Sequence, residues 1–213
     1  MSARFFEPGE VRVKICGLTR EADARLAIEA GADALGFNFW PQSKRYLAPA
    51  GALPWIRALP GEVTRVAVVV NPDTELLAFL RAAECFDAIQ FHGDETPDFC
   101  ERQGGERWIK AVAVRPENGE RFRGYATADF LLDAPVAGYG GSGEAADWTL
   151  AAEWVGAHPD KRWVLAGGLT PANVFEAAAA VRPHGVDVAS GVEVSPGVKD
   201  REKVREFILQ AKG

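Results

Sequence analysis

VRVKICGLTR, residues 11–20, carries the unit on which the rest of the chain is built. A short apolar run, VRVKI, has the look of a strand and ends on a cysteine. The Cys16-Gly17 pair then turns the chain toward a helix. The chemistry of this stretch is unusual as well, because an oxidisable, nucleophilic side chain sits at the tip of a strand.

Working outward, the same succession recurs. Apolar, β-branched or aromatic runs follow at ALGFNF from Ala34, TRVAVVV from Thr64, DAIQF from Asp87 and WIKAVAV from Trp108. DFLLD from Asp129, WVLAG from Trp163 and VDVAS from Val186 complete the series. Several are almost continuously apolar, as expected of parallel strands buried on both faces. Between them lie helix patterns with readable starts. Asp73 precedes ELLAFLRAAE, and Thr96-Pro97 and Thr170-Pro171 each pair an N-cap with a proline at the first helical position. After Asp200, the residues Val204, Phe207, Ile208 and Ala211 share one helical face, and Gly31 stands where a helix needs its C-cap. About eight strand–helix units imply an α/β fold, a (β/α)8 TIM barrel forming one domain over residues 1–213. A doubly wound open sheet is the alternative, and it would need fewer strands; no GxGxxG follows the first strand. Gly138 to Gly143 form the only glycine cluster and read as a loop after the sixth strand.

Composition narrows the function. The 213 residues are 47% hydrophobic, enough for a well-buried core. With 24 basic and 30 acidic side chains the net charge is −6. That argues against a general nucleic-acid or anionic-membrane binder. It leaves room for an anionic small molecule held by backbone amides. Cys16, Cys85 and Cys100 are too irregularly spaced for a disulfide framework or a zinc site. The opening residues carry no basic and apolar leader, so a reducing, cytoplasmic setting is expected. No apolar run approaches the ~18 residues of a membrane span.

In such a barrel the C-terminal strand ends form the active face. The first strand ends at Cys16, the fourth in Gln90-Phe91-His92, the sixth at Asp133, the seventh in Gly167-Gly168 and the eighth in Ser190-Gly191. Arg45 follows the second. Glycines after strands seven and eight, backed by a helix N-terminus, suit a phosphate. For Cys16 two readings stand: a small buried hydrophobe, or a proton-transfer group opposite Asp133. Asp133 is also a plausible structural acceptor. A packed histidine is the commoner situation for His92, and no second histidine stands at metal spacing. Arg45 is either a solvated loop charge or a bidentate clamp for a carboxylate.

Taken together, these segments resemble the phosphoribosylanthranilate isomerases of tryptophan biosynthesis. The resemblance rests on KICGLT (14–19), GADALGFNF with SKRYL (31–47), VVVNP (68–72), IQFHGDE (89–95), LLDA (131–134), GGSG (140–143), LAGGLTPANV (165–174) and DVASGVEVSPGVKD (187–200). It implies a (β/α)8 barrel and an Amadori rearrangement of an aminoaldose to an aminoketose, run without cofactor or metal. It implies Cys16 as general base and Asp133 as general acid. It makes Arg45, Gln90, His92, Gly140, Gly141, Gly143 and Asp187 substrate-binding residues, and Gly167, Gly168, Ser190 and Gly191 the phosphate site. The implied partner is a phosphorylated small molecule; nucleic acid and membrane are not expected, and the chain is a monomer or homodimer. Glu144 departs from the lysine that often follows the family's glycine-rich loop.

Rival readings are an isomerase of the histidine pathway and a barrel that binds without catalysing. The first would place aspartate, not cysteine, at the end of the first strand. The intact Cys16 and Asp133 argue against the second.

Overall fold

The computed structural model describes residues 4–7, 9–119, 121–135 and 146–213. Eight parallel strands close on themselves in chain order. They are β1 (Arg12–Ile15), β2 (Ala34–Asn38), β3 (Thr64–Val69), β4 (Ala88–Phe91), β5 (Trp108–Ala113), β6 (Asp129–Asp133), β7 (Arg162–Leu165) and β8 (Gly185–Val188). Closure is made by β1 against β8, where Lys14 stands opposite Asp187 and Ile15 opposite Val188.

Alternation along each strand divides the side chains into two apolar layers. Val13, Ile15, Leu35, Phe37, Ala67, Val69, Phe130 and Leu132 face the helices. Ala34, Val66, Val68, Ala88, Ile109, Leu131 and Val164 fill the interior. Phe5 and Phe6 plug its lower end, their rings 5.3 Å apart edge to face. His184 ties this plug down, its Nε2 lying 2.7 Å from the Phe5 carbonyl.

The outer layer consists of α1 (Glu21–Glu29), α2 (Pro49–Arg57), α3 (Thr74–Ala82), α4 (Pro97–Gln103), α5 (Trp148–Ala157), α6 (Val174–Val181) and α7 (Arg201–Lys212). The caps read from sequence mostly hold. Asp73 accepts from Leu76 N at 2.7 Å, Thr96 from Phe99 N, and Asp200 from the amides of Glu202 and Lys203. Gly31 follows α1 with φ +97°, a conformation that favours glycine. Thr170-Pro171 does not open α6. A turn intervenes, in which Asn173 Oδ1 accepts from Thr170 N at 2.7 Å, and the helix begins at Val174.

The fifth unit also departs from expectation. Between β5 and β6 lie two 3-10 turns, Pro116–Asn118 and Arg121–Gly124, in place of an α-helix. Pro116, Gly119 and Gly124 crowd this short segment, and each disfavours a continuous helix. Phe122 covers the barrel wall instead, its ring 5.1 Å from Trp163 and 5.6 Å from Phe130.

Candidate active site

Cys16 continues β1, its N–H donating to the Val188 carbonyl at 2.8 Å. Parity puts Lys14 and Cys16 on the inner face. Lys14 is completely buried and donates to Asp187 Oδ1 at 2.7 Å. Its Nζ also faces the Cys16 sulfur, both bordering the space beside Gly36. Gly36 on β2 makes the space: a Cβ there would stand 2.6 Å from the sulfur and 3.0 Å from Nζ. Burial pushes the Cys16 thiol up, and Asp187 pushes the same way, against Lys14 and Lys199. Burial pulls the Lys14 ammonium down, but the favourable interactions with Asp187 and Cys16 together outweigh it and leave the group above its ordinary value.

The second corner is built from β4 and β6. His92 Nε2 lies 3.0 Å from Asp133 Oδ2, and His92 Nδ1 lies 2.9 Å from Gln90 Nε2. An amide nitrogen only donates. With the Gln90 amide in this orientation, Nδ1 accepts, and the uncharged ring carries its proton on Nε2, aimed at Asp133. Asp133 Oδ1 accepts from Ala134 N at 2.8 Å, so both carboxylate oxygens are held. The His92–Asp133 bond spans β5, whose residue opposite Asp133 is Ala113. Small side chains at Ala111 and Ala113 leave room for it. Gln90 Oε1 is buried without a partner among the described residues.

Gly167 and Gly168 follow β7 with φ +79° and +66°. A Cβ on Gly167 would stand 2.6 Å from the Ala134 amide nitrogen, so this turn packs against the residue after Asp133. Gly191 lies against the Leu169 carbonyl in the same way, which brings the two glycine turns together. Asn173 Nδ2 fixes the first of them by donating to the Gly168 carbonyl at 3.0 Å. Among the described residues, the N–H groups of Gly167, Gly168, Ser190 and Gly191 donate to no protein carbonyl. Such a pair of turns can cradle an anion.

Arg45 is neither a solvated charge nor a free clamp. Its Nε and Nη2 grip Glu193 at 2.8 and 2.7 Å. Glu193 begins the strand β9 (Glu193–Ser195), which forms a hairpin with β10 (Val198–Lys199). Lys199 Nζ reaches the same carboxylate at 2.9 Å. Thr19, just beyond Cys16, donates to the Gly197 carbonyl at 2.6 Å and anchors the hairpin tip over the end of β1. One carboxylate thus meets two cations, and the cluster keeps a net positive charge. The arginine hydrogen bonds and the nearby cations hold the Glu193 carboxyl below its ordinary value despite burial.

The structure therefore brings Cys16, Arg45 and Asp187 together at one side, and Gln90, His92 and Asp133 at the other. Asp187 is buried against Lys14. Gly140, Gly141, Gly143 and Glu144 lie outside the described residues. Sequence reasoning missed Lys14, Glu193 and Lys199. It also missed the buried pair of Lys110 and Glu95, 2.9 Å apart, that braces the loop after His92. Lys110 donates there to the Gly93 carbonyl at 2.6 Å. Two signals were present: Lys14 shares strand parity with Cys16, and Ser195-Pro196-Gly197 between two alternating runs marks a hairpin.

A proton acceptor, a carboxyl group, an arginine and an anion cradle around one barrel mouth fit proton shuffling on a doubly anionic small molecule. Comparison with known proteins agrees. The family model described as N-(5'phosphoribosyl)anthranilate (PRA) isomerase matches residues 13–210. An N-(5'-phosphoribosyl)anthranilate isomerase of Thermotoga neapolitana is 45% identical over 205 residues, covering 95% of this chain and 99% of its own. The crystal structure of phosphoribosyl anthranilate isomerase from Thermotoga maritima superimposes with a TM-score of 0.85 at 42% identity, covering 95% of this chain and 99% of that one. A crystal structure of the isomerase in complex with reduced 1-(o-carboxyphenylamino)-1-deoxyribulose 5-phosphate gives 0.82 at 39% identity, covering 95% and 99%.

Proposed function

The chain belongs to the N-(5'-phosphoribosyl)anthranilate isomerase family, and from that premise we propose how its own residues carry out the reaction. The substrate is the aminoaldose N-(5-phosphoribosyl)anthranilate. The product is the aminoketose 1-(2-carboxyphenylamino)-1-deoxyribulose 5-phosphate.

Asp133 gives a proton to the ribose ring oxygen. The C1–O bond breaks, and the nitrogen lone pair closes a C=N bond to C1, forming the Schiff base. Cys16, as thiolate, removes the proton from C2. Those electrons form the C1–C2 double bond, and the C=N pair returns to nitrogen, giving an enolamine. Ketonisation at C2 with protonation of C1 completes the rearrangement. Proton transfers of this kind typically contribute ~10²–10⁴-fold each.

His92 and Gln90 hold Asp133 in place, and the unpartnered Gln90 oxygen is an acceptor for a substrate hydroxyl or amine. Gly167, Gly168, Ser190 and Gly191 take the phosphate through their N–H groups. Arg45 keeps Nε and Nη2 on Glu193 and offers Nη1 to the anthranilate carboxylate. Lys199 neutralises Glu193 and so leaves the arginine's charge to the ligand. Gly140, Gly141 and Gly143 stay in the proposal as a loop that covers the substrate, on the strength of the resemblance. A cytoplasmic setting suits an enzyme that works through a reduced thiol. Among the described residues, no helix is long and apolar enough to cross a membrane.

The observation that carries the residue roles is the placement of Cys16 and Asp133 on inward positions at the C-terminal ends of β1 and β6, with basic and backbone donors on either side. Turnover of the fluorescent substrate by chelator-treated protein tests the reaction.

A further inference from the structure

The rearrangement uses Cys16 and gives Lys14 no task, while Asp187, a substrate-binding residue on the resemblance, commits Oδ1 to Lys14. Burying an ion pair inside a barrel is costly, and apolar residues of similar volume often do as well for stability. The location of this one is informative. Lys14 stands opposite Asp187 across the β1–β8 seam, two residues before Cys16 on the same face. Its ammonium donates to the carboxylate at 2.7 Å and stands beside the Cys16 sulfur. Gly36 leaves out the one side chain that would fill the space between Nζ and sulfur.

We propose that Lys14 and Asp187 are positioning residues that govern the charge on Cys16: Lys14 stabilises the thiolate, and Asp187 holds Lys14 in place while opposing ionisation. The inference rests on Cys16 as the base and assigns how that base is prepared. Among the described residues, the charged groups facing Cys16 are Lys14 from β1, Asp187 from β8, Lys199 from β10 and Arg45 from the loop after β2. Lys199 and Arg45 are both engaged by Glu193. Lys14 is the one of these three cations not engaged by Glu193, and its ammonium borders the same space as the sulfur. Its 2.7 Å bond to Asp187 gives the ammonium an anchor other than Cys16 as the proton moves on and off the sulfur.

The two members of the pair push Cys16 in opposite directions, which separates this role from a structural one. Alkylation of Cys16 by iodoacetamide, followed by peptide mass spectrometry as a function of pH, reads thiolate formation without turnover. Cys85 and Cys100 are buried and are read as separate peptides. In Lys14→Met the alkylation midpoint should move up by about one pH unit or more, and in Asp187→Asn it should move down. Lys14→Arg keeps the charge and should stay near wild type. If Lys14→Met fails to fold, Asp187→Asn and Lys14→Arg decide. An unchanged or raised midpoint in Asp187→Asn overturns the proposal, and so does Lys14→Met shifting in the same direction as Asp187→Asn. The pH profile of kcat/KM in the same variants keeps the two readings apart. If alkylation midpoints move as stated and the rate profile does not follow, the charge control stands and Cys16 loses its role as base.

Discussion

His92 and Asp133 meet at 3.0 Å across the top of β5, a strand that contributes only small side chains there. Gln90 fixes the other ring nitrogen, so imidazole and carboxylate orient each other. Replacing His92 with asparagine removes the Nε2 donor and releases the carboxylate. A misplaced acid of this kind costs about 10²-fold. The loss should fall on kcat, with KM changed less than about threefold, because an orienting residue adds little uniform binding. Steady-state kinetics decide; a change confined to KM would make His92 a substrate contact.

Arg45 carries the opposite expectation. Hydrogen bonds to charged groups contribute about 1.5–3 kcal/mol, so Arg45→Ala should raise KM by about tenfold or more. The reacting carbon lies at the other end of the sugar–anthranilate bond, and kcat should change much less. An unchanged KM would remove Arg45 from the anthranilate end.

Glu193 ties Arg45 and Lys199 together, and its carboxyl is held below the ordinary value. A group whose folded value is lowered contributes stability that is present above its ordinary pKa, about 4.3 for glutamate. That contribution is lost as pH falls through the lower folded value. Urea unfolding of wild type and Glu193→Gln should therefore differ most between pH 5 and 7, and the gap should narrow below pH 4. A gap constant down to pH 3 would show that Glu193 is not held as a buried carboxylate.

Lys110 and Glu95 stand behind the catalytic face, nearly fully buried. Glu95 also accepts from the amides of Asn71 and Gly93, so this carboxylate braces the loop that follows His92. Lys110→Met leaves it buried without its cation, which should cost about 3–5 kcal/mol. Denaturant unfolding measures the loss. A cost below about 1 kcal/mol would mean that solvent reaches Glu95.

How much of this was legible in sequence depends on the range of the interaction. Every barrel strand begins within one residue of its apolar run, because strands covered on both sides need unbroken hydrophobicity. Asp73, Thr96 and Asp200 were legible as caps because capping acts over three residues. The turn before α6 was missed because Asn173, not Thr170, makes the side-chain bonds there. In the fifth unit, Pro116, Gly119 and Gly124 already argued against a helix, but the expected repeat overrode them. The charge networks were beyond reach for another reason. Lys14 finds its partner 173 residues away, and Arg45 finds Glu193 148 residues away. A lysine in a strand does not announce whether it faces water or an anion until the barrel closes.

The proton-transfer pair itself is tested most directly by following the loss of fluorescence of the anthranilate conjugate. Purified, chelator-treated wild type, Cys16→Ala and Asp133→Asn are compared. The expected result is turnover by wild type, with each variant at least ~10²-fold slower in kcat. A near-wild-type rate in either variant, or no turnover by the chelator-treated wild type, would contradict it.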